Sequence, residues 1–313
     1  MNIEIAQQGI FEEASRHGRF LEYKIKPSAI DKELKAVLKN LIKYVSNIED
    51  LNLNIAFGSA CWDRLNPSWC PSELVDFSPL ESGDLDMPAT QGDIFIWLHS
   101  ADAELIPVAL LEIYHGMNPI ADIQIDLEGI KNKQSRDLIG FVDGTANAKE
   151  DKRLPIALIP EGKLGAGGSY VITQRWQHDL EAFNNLAIGD QEKVVGRTKE
   201  EDIELEGDAM PEDSHVSRTD AEVDGVGMKI YRRSAPYMAS QLTATSHGRN
   251  KKSDNGLYFL AFACEIQRFT VQLERMLGLT EDGISDKLMQ YSKPKTGCYW
   301  FMPSRIDLTN LLE

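Results

Sequence analysis

GGSYVITQRWQHDL, from Gly167 to Leu180, decides how the chain is read. Apolar and small residues alternate as in a half-buried strand, and the run ends in Trp176 and Leu180. LNIAFGSACWDRL, Leu53 to Leu65, follows the same plan and ends in Trp62 and Leu65. A second pair of segments also matches. GDIFIWLHSADAELIPVALLEIYHG, Gly92 to Gly116, reads as a strand followed by an amphipathic helix, and GLYFLAFACEIQRFTVQLERMLG, Gly256 to Gly278, is its counterpart. In the latter, Phe269, Leu273, Met276 and Leu277 keep helical spacing. DKELKAVLKNLIKYVSNI, Asp31 to Ile48, adds a helix to the first half, with apolar positions three and four apart.

Each half therefore reads β-α-β-β-α-β, and two such units packed together predict an α+β chain of antiparallel sheets covered by helices. A length of 313 residues suits two domains of about 150 each. The charged segment AKEDKR, Ala148 to Arg153, lacks apolar periodicity and marks the boundary, giving domains 1–148 and 149–313. Two polar stretches, Thr198 to Asp213 and Ser246 to Gly256, read as solvated loops, and the first also suits a loop over a site because a histidine follows at once.

Composition removes several function classes. The net charge of −16 argues against nucleic acid and anionic membranes, both of which call for a basic surface. No basic segment followed by an apolar run opens the chain, and no stretch nears the ~18 apolar residues of a membrane span. Cys61, Cys70, Cys264 and Cys298 are scattered without C-x-x-C spacing, which suits free thiols in a reducing cytoplasm. The glycine run GKLGAGGSY lacks the phosphate-loop pattern and reads as a turn into a strand.

Three short blocks carry candidate chemistry. In IGFVDGTANAKE, Ile139 to Glu150, Asp143 follows directly on Phe141 and Val142, which places a carboxylate at a cavity mouth or partly buried. In PEDSHVSRTD, Asp213 or Ser214 can cap a short helix that begins near His215, a position suited to axial ligation of a metal. In MKIYRRSAPY, Met228 to Tyr237, strand-like residues end in an arginine pair, and a buried arginine needs an anionic partner. The other histidines, His17, His99, His115, His178 and His247, lie in ordinary contexts.

Together these blocks resemble the dye-decolourising peroxidase family, haem enzymes with a duplicated ferredoxin-like fold and haem in the second half. The family's G-x-x-D-G signature stands at Gly140 to Gly144, followed by Thr145 and Asn147. The blocks GGSYV…QRW.H, GRTK at Gly196 to Lys199, SHVSRTD, IYRRSAPY, GLYF and KPKTGCYWFMPS follow in order, covering nearly everything from Ile55 onward. The likeness is to the bacterial intracellular branch, and GRNKKSDNG is insert-like against it.

The resemblance implies haem b with His215 as proximal iron ligand, Asp143 and Arg232 on the distal side, and Ser234 at a distal polar position. It also implies a hydrogen bond from His215 to Asp286, Arg197 as a propionate partner, and Asn147, Leu257 and Phe259 beside the cofactor. The implied activity is reduction of hydrogen peroxide with oxidation of small organic reductants such as dyes or phenolics, in a cytoplasmic homo-oligomer with no nucleic-acid or membrane partner. Two alternatives belong to other classes: a haem-handling or iron-releasing protein with incidental peroxidase activity, and cargo of a protein shell. The short tail SRIDLTNLLE argues against a long docking peptide.

Overall fold

The computed structural model describes residues 3–245 and 248–313, apart from the side chains of residues 239–253. The first half runs β1 (His17–Ile25), α1 (Asp31–Val45), β2 (Leu51–Phe57), α2 (Ser59–Leu65), a small hairpin β3–β4 (Leu80–Ser82, Leu85–Met87), β5 (Ile94–Ser100), α3 (Leu105–Met117) and β6 (Ala121–Ile130). The second half runs α4 (Leu154–Ala157), β7 (Ser169–His178), α5 (Leu180–Asn184), α6 (Ile188–Val195), α7 (His215–Thr219) and a hairpin β8–β9 (Glu222–Val223, Val226–Gly227). It continues through β10 (Tyr231–Arg232), β11 (Ala235–Thr245), β12 (Gly248–Ala263), α8 (Gln267–Met276), β13 (Ser292–Pro294), β14 (Cys298–Met302) and α9 (Arg305–Leu312).

Stripped of the small hairpins, the short α2, α4 and β13 and the terminal α9, both halves are β-α-β-β-α-β, as expected from the sequence, although Leu53–Leu65 forms β2 and α2 whereas Gly167–Leu180 enters β7, the first main strand, so those two segments are not equivalent. The strand order is β2-β5-β1-β6 in the first half and β10-β12-β7-β14 in the second, with β11 also on β12. In each unit the first and third main strands are central and the second and fourth are edges. The units join edge to edge where Phe301 of β14 pairs with Phe57 of β2. The far edges approach as well: a Cβ on Gly129 of β6 would come within 2.8 Å of Ala235 Cβ on β11. Glycine at position 129 therefore lets the two strands meet, and the sheet curls around one interior.

That interior is aromatic and shared, with Phe20, Phe95 and Trp97 from the first half meeting Tyr258, Phe262 and Trp300 from the second. Tyr258 stacks on Phe20 at 4.2 Å between ring centres. One carboxylate is enclosed there. Glu22 of β1 accepts from Tyr258 Oη at 2.6 Å, from Thr173 Oγ1 at 2.8 Å and from Cys298 Sγ at 3.4 Å, all from the other half. Burial pushes its carboxyl pKa up, against the pull of those hydrogen bonds. Outside the sheet lie the helices. Leu34, Leu38, Leu41 and Val45 of α1 form one buried stripe at spacings of three and four.

One expectation is corrected. Most of the polar stretch 246–256 is strand, because β11 and β12 pair from Thr245↔Gly248 to Tyr237↔Gly256; Ser246 and His247 lie outside the described residues. Ladder pairing uses backbone N–H and C=O groups, which polar residues carry as well as apolar ones, so composition alone misleads here. The stretch 198–213 is mainly loop, with a bridge between Arg197 and Glu204 and a single turn at Gly207–Ala209. Among the described residues no helix is long and apolar enough to cross a membrane.

Candidate active site

Between the outer face of the second sheet and its helices lies a cavity of about 220 Å³. Strand alternation builds one wall: Ile172, Gln174, Trp176 and His178 of β7, with Leu257 and Phe259 of β12, all line it. The opposite wall comes from His215, Val216 and Thr219 of α7 and Phe269, Gln272, Leu273 and Met276 of α8. The loop carrying Asp143 and the loop carrying Arg197 also border it.

His215 is the first residue of α7, a helix of five residues held at its start by Ser214, whose Oγ accepts from Ser217 N. The ring is fixed from behind. Its Nδ1 lies 2.6 Å from Oδ2 of Asp286, a side chain with no exposure, whose Oδ1 accepts from Leu288 N at 2.9 Å. A carboxylate can only accept, so Nδ1 carries the proton and Nε2 is left as the ring's open nitrogen in a cavity-lining residue.

Asp143 sits between two glycines in the left-handed region, Gly140 at φ 94° and Gly144 at φ 91°. Those conformations, which favour glycine, bend the hairpin that presents the carboxylate. Asp143 N donates to Ser135 O at 2.9 Å. Its Oδ1 lies 3.4 Å from Arg232 Nε, and that nitrogen is buried without a hydrogen bond. Asn147 does not line the cavity but fixes the backbone of Arg232, donating to its C=O at 2.8 Å and accepting from its N–H at 3.0 Å.

Strand parity divides the arginine pair. Arg232 faces the cavity, whereas Arg233 is buried on the other side, donates to the carbonyls of Gly9, Ile10 and Glu12, and lies 5.0 Å from the Trp97 ring centre. Ser234 is buried and does not line the cavity; its Oγ accepts from Leu260 N at 3.4 Å. Arg197 lines the cavity, with its guanidinium engaged by its own loop. Nε donates to Asp202 Oδ1 at 2.9 Å, Nη1 to Glu204 Oε2 at 2.7 Å and Nη2 to Asp202 O at 2.9 Å. Thr145 also donates to Asp202, which ties the Asp143 loop to this one.

Of the sequence candidates, the fold brings Asp143, Arg232, His215, Asp286, Arg197, Leu257 and Phe259 to one cavity and leaves Asn147 and Ser234 just behind it. Sequence reading passed over Asp137, His178 and Ser292, which also line the cavity. The signal for His178 was present: it keeps step with Ile172, Gln174 and Trp176 along one strand face.

A half-buried carboxylate–arginine pair and a carboxylate-held histidine lining one cavity with apolar and aromatic walls suit a planar metal-bearing cofactor that activates a small oxidant. Comparison with known proteins agrees. Residues 7–131 match the Dyp-type peroxidase N-terminal model and residues 134–307 the Dyp-type peroxidase C-terminal model. The chain belongs to the Dyp-type peroxidase family. It is 32% identical over 254 residues to a dye-decolorizing peroxidase of Mycolicibacterium paratuberculosis, covering 80% of this chain and 68% of that one. A crystal structure of a Dyp-type peroxidase protein from Shewanella oneidensis superposes with a TM-score of 0.88 at 28% identity, covering 99% of both chains. A variant of Rhodococcus jostii DypB, solved in complex with haem, gives 0.85 at 29% identity, covering 97% and 98%.

Proposed function

We propose that the chain is a dye-decolourising haem peroxidase that reduces hydrogen peroxide at the expense of small organic reductants. The observation that carries this reading is one cavity lined both by His215, its Nδ1 held by Asp286 and its Nε2 open, and by the Asp143–Arg232 pair. The residues fit haem b. The walls are largely apolar and aromatic, as a porphyrin requires, His215 offers a neutral imidazole nitrogen to iron, and buried donors remain for polar groups. Bound there, haem supplies the iron that activates peroxide and the redox capacity to draw electrons from reductants one at a time.

The chain's own residues do the rest. Asp286 accepts a hydrogen bond from His215 Nδ1–H, which fixes the ring and strengthens it as a ligand. Asp143 takes a proton from one peroxide oxygen and returns it to the other, so that water can leave. Arg232 places a fixed positive charge beside the oxygens as negative charge develops. Asn147 holds Arg232 in position through its backbone, and Ser234, two residues on, ties this segment to β12 by accepting from Leu260 N. Leu257 and Phe259 pack on the cofactor face. Arg197 keeps unused N–H donors for a propionate.

The same proposal includes a cytoplasmic homo-oligomer and units divided at 148/149; cargo of a protein shell remains a rival reading. Reconstitution with haem tests the central reading. One haem per chain, a Soret band and peroxide-dependent dye oxidation are expected; a protein that takes up no stoichiometric haem refutes it. Release of iron from haem without peroxide turnover would favour the haem-handling alternative.

A further inference from the structure

The cavity carries a second polar pair that this chemistry leaves unused. Asp137 and His178 both line it, with side chains only 9% and 4% exposed. His178 Nε2 lies 3.0 Å from Asp137 Oδ2, yet neither that nitrogen nor Asp137 Oδ1 makes a hydrogen bond. The rest of the pair is fixed. His178 Nδ1 is 2.8 Å from Ser292 Oγ. Asp137 closes the base of the Asp143 hairpin, its N–H donating to Phe141 O at 2.8 Å and its C=O accepting from Gly140 N at 2.9 Å. The Asp137 carboxylate beside Nε2 favours the tautomer with its proton on that nitrogen, and the Ser292 hydroxyl then donates to Nδ1. A buried donor and a buried acceptor thus stand side by side without hydrogen bonds, an arrangement that disfavours the empty site.

We propose that Asp137 and His178 seat the hydroxyl group of a single-ring phenol, the reductant, inside the cavity; this rests on the peroxidase reading above. The hydroxyl donates to Asp137 Oδ1 and accepts from His178 Nε2. A carboxylate fits worse, because it brings a second anionic oxygen against Asp137. A metal ion also fits worse, since the described residues contain no group of three or more His, Cys, Asp or Glu side chains able to hold one. Ile139, Phe141 and Trp176 line the same cavity and suit an aromatic ring. In the reaction the phenol O–H bond breaks. The proton goes to Asp137 Oδ1, one electron goes to the group that peroxide has oxidised in this cavity, and a phenoxyl radical leaves. Peroxide takes two electrons to become water, so each peroxide consumes two phenols.

The test uses the resting haem-loaded protein without peroxide. 4-Methylphenol is titrated against it beside 4-methylanisole, which lacks the hydroxyl. Binding is read from the Soret difference spectrum and from paramagnetic broadening of the ligand's ring protons. Wild type should favour the phenol on the order of tenfold, the worth of one good hydrogen bond. His178→Leu and Asp137→Asn should each erase that preference while the ether affinity and the Soret band persist. Equal affinities for phenol and ether in wild type overturn the proposal without any variant having to fold. Loss of haem from the variants, in place of lost phenol preference, also overturns it by making the pair a cofactor seat. A Soret band and peroxide turnover without phenol preference remove the phenol seat and leave the peroxidase reading standing.

Discussion

Between its first and second main strands the N-terminal half uses 25 residues (26–50), mostly in α1; the C-terminal half uses 52 (179–230), divided among α5, α6, α7 and loops. The long helix lays Leu34, Leu38 and Leu41 directly against its sheet and leaves that layer filled. The broken connection in the other half meets its sheet only in part, and the sheet face bearing Ile172, Gln174, Trp176, Leu257 and Phe259 borders a cavity. Topology is identical in the two units; the length and breakage of one connection separate them. Loop closure grows costly only slowly with length, so a lengthened connection is a cheap route from a solid unit to a hollow one. The difference places stability in one half and chemistry in the other.

Several substitutions can break or sharpen that contrast, beginning with the most severe. His215→Ala should abolish tight haem binding, seen as rapid transfer of haem to apomyoglobin; an unchanged ferric spectrum and affinity would move the ligand elsewhere. Asp286→Asn should weaken haem retention or activity by roughly 10–100-fold through the loosened ring. Asp143→Asn should slow the stopped-flow reaction with peroxide by about 10²–10⁴-fold, and Arg232→Leu by about 10²–10³-fold. Wild-type rates in both variants would show that this pair is not the distal machinery.

The next comparison concerns the two helix layers. Leu38→Ala, in the filled half, should cost roughly 2–5 kcal/mol whether or not haem is present. Leu273→Ala, on the cavity wall, should cost less in the haem-free protein, where it enlarges an existing space. The two costs should converge once haem is bound, since a ligand of the native state stabilises it by mass action. Thermal melts of both variants with and without haem decide this, and equal costs in the haem-free protein would mean that the second layer is as filled as the first.

The smallest effect lies in the shared interior. Burial raises the Glu22 carboxyl pKa in the folded chain above its unfolded value. Stability linked to the neutral form is therefore present at low pH and lost as pH rises through the folded pKa. Glu22→Gln should gain melting temperature relative to wild type as the buffer is moved from acid to alkaline pH; a difference that stays flat with pH would show that Glu22 does not titrate in the folded state.

The duplication was legible in one matched pair, Gly92–Gly116 with Gly256–Gly278, which the fold makes the third main strand and second helix of each unit; the other match failed, because Trp62 lies in α2 after the second main strand whereas Trp176 lies in β7, the first. Asp143 was legible because it follows directly on the apolar Phe141 and Val142, and His215 through the capping Asp213 or Ser214 before it. Asp286 offered no local signal: only the fold carries it to the His215 ring, 71 positions away. The engagement of Arg197 with Asp202 and Glu204 was equally hidden, because a loop folding back on itself has no periodicity. Residues 248–256 were misjudged because they are polar, although their backbone pairs along the full length. His178 was passed over because its context looked ordinary, and only its strand parity pointed inward.

The curled sheet also bears on synthesis. A ribosome delivers the N-terminal unit first, and that unit can fill its helical layer with residues already made. Its other face cannot close, because Phe20, Phe95 and Trp97 wait for Tyr258, Phe262 and Trp300, which emerge more than a hundred residues later. At translation speeds of about 5–20 residues per second, that aromatic face stays wet for roughly 10–40 seconds, long enough for chaperones to bind it or for two nascent chains to stick together. The last strand of the sheet, β14, carries Trp300 and makes the joint to β2. A chain truncated before Cys298 should therefore be handled by the cell as an unfinished protein, however completely its first unit has formed.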